Sequence, residues 1–397
     1  MIEVKEVNED EYKGSLDLKY HPRRLKIVSK GKIFYTPTRV ITDAEYVQKR
    51  NFPNAIPIDD FISSVTNYMH QDELASFIGK NGAIKKLTKK VKEFSKPSID
   101  SFFRILSLKL SVDDFRWAGE QEKMKTFLRF LDFVQGPLES RSFPYIPAPM
   151  DVMSNLYDEF CKVNENPVIW VDLKEEQNAF QKRLSKIENL VKEKRLQVLG
   201  IHYEKFEEVN VNYDQLYERF HNLDVLLLME GVPYRYNIND SNLSSYLHAM
   251  PFAALDAISP VRRDPYSRTG KRKGFGPMSN KSLQNLSFFK RNDVSIRRFN
   301  EISKDNSILT EYEPQSTIKE DWHTLSGKID NPKAFEDEEL KRKYRRLYAF
   351  SYIQKAVDGQ KEMEAISDSV KNSESSDYLA ARKQLFSEIE KHIVIKK

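Results

Sequence analysis

Short apolar runs alternate with amphipathic stretches through the first two thirds of the chain, and this alternation restricts the fold more than any other feature. Each run is rich in Val, Ile, Leu and aromatic residues, as is typical of strands that are buried on both faces. The runs occupy residues 32–40, 54–62, 96–103, 143–152, 167–173, 195–203, 223–232 and 252–261. Eight such strands predict a large sheet with helices packed on it.

The stretches between the runs have the periodicity of helices. In residues 175–195 an apolar stripe formed by Phe180, Leu184, Ile187 and Leu190 alternates with Lys and Glu, which indicates a helix with one buried face. Eight strands alternating with helices predict an α/β fold, most simply a (β/α)8 TIM barrel. An open doubly wound sheet is the alternative, although no G-x-G-x-x-G or P-loop motif supports a nucleotide-binding form of it.

The composition changes after the last run and suggests three segments. We expect a catalytic barrel over residues 1–265, a basic, loop-rich insertion over residues 266–332, and a charged helical C-terminal extension over residues 333–397. Residues 261–300 hold eleven Lys and Arg against two Asp, whereas the rest of the chain has a net charge of −4. A local basic patch of this kind is typical of proteins that bind a phosphate backbone.

Cysteine content and hydropathy limit the other classes of function. Cys161 is the only cysteine, so neither an internal disulfide nor a zinc site built from several thiolates is expected. No cofactor or metal is predicted. No apolar stretch is long enough to span a membrane, and the charged N-terminal residues do not resemble a secretory signal. These features predict a cytoplasmic, intracellular protein.

Several of the predicted strands carry a single aspartate near their ends. They are Asp100, Asp151, Asp172 and Asp256. In a barrel, side chains at the carboxyl ends of the strands converge on one pocket, where one carboxylate can act as a nucleophile while another stays protonated. Each of these aspartates is also a suitable helix cap or turn residue, and that alternative stays open.

Five segments around these aspartates resemble the tRNA-guanine transglycosylases, in the order in which that family has them. Leu255-Asp256-Ala257, followed by Pro260 and Arg262, resembles the family's Phe-Asp-Cys-x-x-Pro-x-Arg strand, and Pro97, Asp100 and Ser101 resemble its Pro-x-Leu-x-Asp-Ser stretch. The segment 226–233 resembles its Tyr-Leu-Met-Gly-Val-Gly strand, and 198–204 its Gly-Gly-Leu-Ala-Val-Gly-Glu strand. Residues 168–173 fall where the family has Gly-Ile-Val-Gln. The resemblance covers roughly residues 30–265.

The resemblance implies that guanine in a polynucleotide is exchanged for a 7-deazaguanine base, such as 7-cyano-7-deazaguanine, through a covalent aspartyl–sugar intermediate. It assigns the nucleophile to Asp256 and the general acid/base to Asp100. The implied base-binding residues are Asp151, Asp172, Gly200, Ile201, Met229 and Phe103. Asp151 and Asp172 would read the edge of the base, Gly200 and Ile201 would present backbone groups, and Met229 and Phe103 would enclose the ring.

Departures from the family pattern bear on the substrate. Phe102 and Phe103 replace two glycines, and no cysteine follows Cys161 to build the zinc site of the tRNA enzymes. The chain is more similar to the related DNA 7-deazaguanine transglycosylases of phages and bacterial DNA-modification clusters, which predicts DNA rather than tRNA as the polymer. A base inside a duplex would first have to be flipped out.

The basic segment after Asp256 is expected to contact the nucleic acid. The predicted contacts are Arg262, Arg263, Arg268, Lys271, Arg272 and Lys273. Aromatic residues of the same region, including Phe288, Phe289 and Phe299, are either base-stacking or core residues. Three other functions stay open: a tRNA enzyme of the same family without zinc, a barrel that binds nucleic acid without catalysis, and a glycoside hydrolase with paired carboxylates.

Overall fold

The computed structural model describes most of the chain. The described residues are 3–6, 22–29, 31–43, 45, 62–70, 88–89, 91–92, 103–111, 121–204, 206–234, 246–260, 279–292, 294–309, 316–331 and 337–371. Within them, no helix is long and apolar enough to cross a membrane.

Within residues 103–260, the described strands and helices alternate, as the sequence predicts. The strands are β1 (Glu3–Glu6), β2 (Leu25–Ser29), β3 (Lys32–Tyr35), β4 (Thr38–Arg39), β5 (Ile41–Thr42), β6 (Ile62–His70), β7 (Phe103–Ser111), β8 (Arg141–Phe143), β9 (Pro167–Asp172), β10 (Val198–His202), β11 (Leu226–Val232), β12 (Ala257–Pro260), β13 (Ser287–Lys290) and β14 (Ser295–Arg298). The helices are α1 (Gln121–Gln135), α2 (Met150–Val163), α3 (Gln177–Lys192), α4 (Phe206–Phe220), α5 (Tyr246–Ala249), α6 (Asn280–Gln284), α7 (Phe299–Ile302), α8 (Ser316–Ser326) and α9 (Glu338–Lys371).

A six-stranded parallel sheet forms the centre of the molecule, with the strand order β4-β12-β11-β10-β9-β8. A second parallel sheet has the order β5-β6-β7. Only Val40 separates β4 from β5, and its backbone N–H donates to Ile258 O at 2.9 Å. The fold is therefore mixed α/β with parallel strands.

Several strands lie later or are shorter than the apolar runs predict. β6 begins at Ile62, where the predicted run ends, and β7 begins at Phe103. Residues 54–61 and 96–102 lie outside the described part of the chain. The sequence of β7 alternates apolar residues with Ser107 and Lys109, so a search for continuous apolar runs does not detect it.

The helix predicted over residues 175–195 is confirmed as α3, and its predicted stripe is buried. These side chains belong to a large core between the helices and the outer side of the six-stranded sheet. The inner side of the strands forms a separate core that includes Val40, Ile105, Trp170 and Leu228. The antiparallel sheet β1-β2-β3 contributes Val4 and Leu25 to that inner core.

Described residues between positions 279 and 350 build a second hydrophobic core around Trp322. The hairpin β13-β14, helices α6 to α8 and the first half of α9 contribute to it. Residues on both sides of the boundary predicted at 332/333 share this core, so the structure joins what the sequence divides. The rings of Phe288, Phe289 and Phe299 are at most 1% exposed, so the core alternative is the one that holds for them.

Helix α9 connects the second core to the central sheet. Gln360 Oε1 accepts from the backbone N–H of Arg39 at 2.9 Å, and Gln354 Oε1 accepts from Phe289 N at 2.9 Å. A Cβ added at Gly359 would lie 2.4 Å from His248 Nε2, so only glycine permits this close approach. The helix therefore holds the hairpin and the first strand of the sheet in one arrangement.

Candidate functional site

Asp256 lies at the amino edge of the parallel sheet, before β12 begins. Its backbone N–H donates to Leu227 O at 3.1 Å, near the start of β11. The preceding apolar residues form a one-turn 3-10 helix over Met250–Ala253, and Ala254 has a φ of 57°. The chain therefore turns before Asp256, and the expected position of this aspartate at the carboxyl end of a strand is wrong.

The carboxylate of Asp256 is fully buried and held by Arg23. Arg23 Nε donates to Oδ1 at 2.9 Å and Nη2 to Oδ2 at 2.6 Å, while Leu227 N donates to Oδ2 at 2.7 Å. Burial raises the pKa of Asp256, and the guanidinium and the amide act against that rise. Arg23 also donates to the carbonyls of Phe220, His221, Leu223 and Val225. This geometry is that of a structural anchor.

Polar side chains collect at the opposite, carboxyl edge of the sheet. Four of them share one register across neighbouring strands. They are Asp172 of β9, His202 of β10, Glu230 of β11 and Ser259 of β12. In-register residues of neighbouring parallel strands point to the same face. We call these four residues the carboxyl-edge layer. It lies three residues, or roughly 10 Å, along the strand from Asp256.

The indole of Trp170 forms the floor beneath this layer. A Cβ at Gly200 would lie 2.4 Å from Trp170 Cδ2, so glycine is required there to admit the ring. Trp170 stacks on His202 with ring centroids 4.9 Å apart and an interplanar angle of 14°. Gly200 thus provides the seat for the indole, which covers the backbone that was expected to face a base.

A side-chain hydrogen bond joins the two parallel sheets at the carboxyl-edge layer. Ser107 Oγ of β7 donates to Glu230 Oε2, and His202 Nδ1 lies 3.8 Å from the same oxygen. Burial lowers the pKa of His202 to about 3, with Lys109 acting in the same direction. The imidazole is therefore neutral at neutral pH, and one of its nitrogens is a hydrogen-bond acceptor.

Asp172 is the partly exposed acid of the layer. Burial raises its pKa, and the neighbouring Glu204 adds to the rise, while the N–H of Lys174 opposes it by donating to Oδ1 at 2.9 Å. Glu204 itself lies between two ammonium groups, with Lys174 Nζ at 2.6 Å and Lys109 Nζ at 3.5 Å. The edge thus presents one carboxyl with a raised pKa beside another carboxyl that lies between two ammonium groups.

Three buried polar atoms at this edge lack a hydrogen-bond partner among the described residues. They are Trp170 Nε1, His202 Nε2 and Ser259 Oγ. Most buried polar groups in native proteins are paired, so unpaired ones at one place call for an explanation. A ligand that presents both donors and acceptors would satisfy them.

Three other residues expected to bind the base lie elsewhere. Ile201 and Met229 point to the outer side of the sheet and pack in the helix-covered core, because side chains alternate between the two faces of a strand. Phe103 begins β7 and packs in the inner core near the amino edge. Met229 and Phe103 therefore do not face each other across a ring site.

Asp151 lies in the exposed first turn of α2. A carboxylate there interacts favourably with the helix dipole, which agrees with the cap-like alternative. The remaining predicted site residues lie outside the described part of the chain. These are Asp100, Arg262, Arg263, Arg268, Lys271, Arg272 and Lys273.

Comparison of the chain with known protein families and with curated proteins finds no match. No group of three or more His, Cys, Asp or Glu able to hold a metal ion occurs among the residues that the structure describes.

Sequence reasoning did not identify most of this layer. Of its four residues, the sequence predicts only Asp172 as a base-binding residue. The signal is present in "LLLMEGV", where the acidic Glu230 interrupts an apolar strand near its end. It could have been found by asking which strand positions place a polar side chain on the inner face.

Proposed function

We propose that the two parallel sheets close into one (β/α)8 barrel, and that its carboxyl edge is the active site of a transglycosylase that exchanges guanine in a polynucleotide, preferably DNA. Two observations support closure. The run β4–β5 pairs with β12 through one half and with β6 through the other, and Ser140 Oγ, just before β8, donates to Arg104 O of β7 at 2.7 Å.

The observation that supports base exchange is the carboxyl-edge layer above the Trp170 floor. A nucleobase is a flat ring whose edge alternates donors and acceptors, and the unpaired atoms of Trp170, His202 and Ser259 include both kinds. The resemblance of five segments to the transglycosylases adds the reaction type. The 7-deazaguanine base would enter the same pocket after guanine leaves.

In this proposal Asp172 handles the proton. It protonates the departing guanine as the bond from the sugar C1′ to the base nitrogen breaks, and it takes the proton from the same nitrogen of the incoming 7-deazaguanine. Its raised pKa suits a group that must hold a proton first and release it to the leaving base.

The covalent step requires an ionised carboxylate that attacks C1′ and leaves when the new base attacks. The resemblance assigns this step to Asp256, whose carboxylate is held by Arg23 at the amino edge. Glu204, held between Lys109 and Lys174 at the carboxyl edge, is the carboxylate that the geometry favours instead. The resemblance assigns the acid/base role to Asp100 instead, and this assignment competes with the one to Asp172.

The test is release of labelled guanine from DNA and, in parallel, from tRNA, with 7-cyano-7-deazaguanine as the incoming base. We expect exchange in DNA, and loss of exchange with Asp172→Asn and Glu204→Gln in folded protein. Exchange in tRNA alone would replace the polymer assignment and retain the reaction. Binding of both polymers with no exchange in either would support the non-catalytic barrel and end the proposal.

Denaturing electrophoresis after mixing with labelled DNA identifies the nucleophile. A covalent adduct that is lost with Glu204→Gln and kept with Asp256→Asn supports Glu204. The reverse pattern restores the assignment to Asp256.

A further inference from the structure

One face of the first half of α9 carries tyrosines and cations in a single row. Lys341, Arg345, Tyr348 and Tyr352 follow one another at spacings of three or four residues, which places them on the same side of a helix. We call these four residues the tyrosine stripe. With a rise of 1.5 Å per residue, the distance from Lys341 to Lys355, one turn beyond the stripe, is roughly 20 Å.

The two tyrosines of the stripe are partly exposed and held in place. Their ring centroids are 5.1 Å apart, and Tyr348 Oη donates to Tyr352 Oη at 3.0 Å. The buried Tyr344 packs beside Tyr348 with centroids 6.2 Å apart. Fixed aromatic rings of this kind are suitable platforms for flat ligands, because little side-chain entropy remains to be lost on binding.

The Tyr352 end of the stripe lies beside the carboxyl edge of the sheet. The ammonium of Lys355 lies 4.9 Å from the ring centroid of Tyr352 and 5.2 Å from that of Tyr234. Tyr234 follows β11, two residues after Val232, and its hydroxyl donates to Glu45 Oε1 at 3.0 Å, just beyond β5. A polymer that enters the carboxyl edge would therefore meet Tyr352 next.

The cations in the first half of this helix are either paired with acids or exposed at the surface. Lys341 of the stripe is paired with Glu338 at 2.6 Å. Lys343 and Arg346 are held by Glu320 and Asp321 of α8 at 3.1 and 2.7 Å, so they fasten α9 to the second core. Arg345 is exposed on the stripe, and Arg342 is exposed beside it. The stripe thus combines aromatic rings with positive charge at the surface.

We propose that the tyrosine stripe binds the single-stranded DNA adjoining the reacting nucleotide, with bases stacked on Tyr348 and Tyr352 and a phosphate at Arg345. Single-strand binding surfaces elsewhere combine these two kinds of contact. The inference rests on the proposed function, because DNA is the polymer at the site. An acidic peptide would use the cations and leave the rings without a partner.

The experiment is fluorescence anisotropy of the full chain with a labelled oligothymidine of about a dozen nucleotides, within the range of single-strand site sizes. Tyr348→Leu combined with Tyr352→Leu is expected to weaken binding at least about tenfold. The matching pair of Tyr→Phe substitutions retains the rings and is expected to restore most of the affinity. Arg345→Gln is expected to reduce the slope of log affinity against log salt by about one.

Controls separate a local effect from a loss of structure. Tyr217→Leu on α4 and Arg129→Gln on α1 remove the same kinds of side chain away from the stripe and are expected to leave the affinity unchanged. Urea denaturation checks that the Leu variants are folded. Wild-type affinity in folded Leu variants would overturn the proposal, as would equal competition by polyglutamate.

Failure of this inference is distinguishable from failure of the proposed function. Stripe-dependent binding without guanine exchange retains the stripe as a surface that binds single-stranded DNA and rejects the enzyme. Exchange at an unchanged KM in the Leu variants retains the enzyme and rejects the stripe.

Discussion

The two edges of the parallel sheet differ in how fully their buried polar groups are hydrogen-bonded. At the amino edge, the carboxylate of Asp256 receives three hydrogen bonds from Arg23 and Leu227. At the carboxyl edge, Trp170 Nε1, His202 Nε2 and Ser259 Oγ have no partner among the described residues. A saturated network rigidifies a fold, whereas an unsaturated one costs stability unless a ligand completes it. The contrast favours a stabilising role for Asp256 and agrees with the proposal that a ligand binds at the carboxyl edge.

The largest expected effect comes from removing Arg23. Arg23→Met leaves the charge of Asp256 buried without its partner, which typically costs about 3–5 kcal/mol. We expect the free energy of unfolding in urea to fall by that amount. Combining Arg23→Met with Asp256→Leu removes both charges and is expected to recover most of the loss. A single variant as stable as the Arg129→Met control would contradict the anchor role.

A smaller loss is expected from Gly200→Ala at the carboxyl edge. The new methyl would lie 2.4 Å from Trp170 Cδ2, so the indole must move, and overpacking of this kind typically costs about 1–3 kcal/mol. Trp170→Leu in the same chain creates room for the methyl, so the two substitutions should cost less together than their sum. Additive losses in urea denaturation would show that the ring does not rest on Gly200.

The pH dependence of stability tests the burial of His202. Its pKa is about 3 when folded, against about 6.5 in an unfolded chain. Below about pH 6.5 the unfolded state therefore binds an extra proton, and the free energy of unfolding falls as the pH decreases, by up to about 1.4 kcal/mol per unit. His202→Gln should lack this part of the decline between about pH 6.5 and 5. If the free energy of unfolding falls equally steeply with decreasing pH in the wild type and in His202→Gln, the burial of His202 is contradicted.

Much of the fold follows from the sequence, because strand and helix periodicities are local. The stripe of α3 and the parallel α/β class could be predicted in this way. β6 and β7 could not, since buried polar residues such as Ser107 face the interior of the molecule and interrupt the apolar pattern. The connection that α9 makes between the second core and the central sheet depends on Gln354 and Gln360, whose partners are 65 and 321 residues away.

The site was predicted less well than the fold. Asp172 could be placed at a carboxyl edge because it ends an uninterrupted apolar strand. Asp256 follows an apolar run of similar length, but that run forms a turn ending in Ala254, and composition does not distinguish the two outcomes. Met229 was predicted to enclose the base, but it lies one position from the inward-facing Leu228, so strand alternation turns its side chain to the outer side of the sheet.

Guanine exchange in two folded variants tests whether the chemistry lies at the carboxyl edge of the sheet. We predict that Asp172→Asn keeps its stability and loses about a hundredfold or more of its exchange rate, the usual contribution of a general acid. We also predict that the double variant Arg23→Met with Asp256→Leu, once shown to be folded, keeps its exchange activity. The opposite result would contradict this assignment: if the folded double variant lacks exchange while Asp172→Asn still exchanges, the chemistry lies at Asp256.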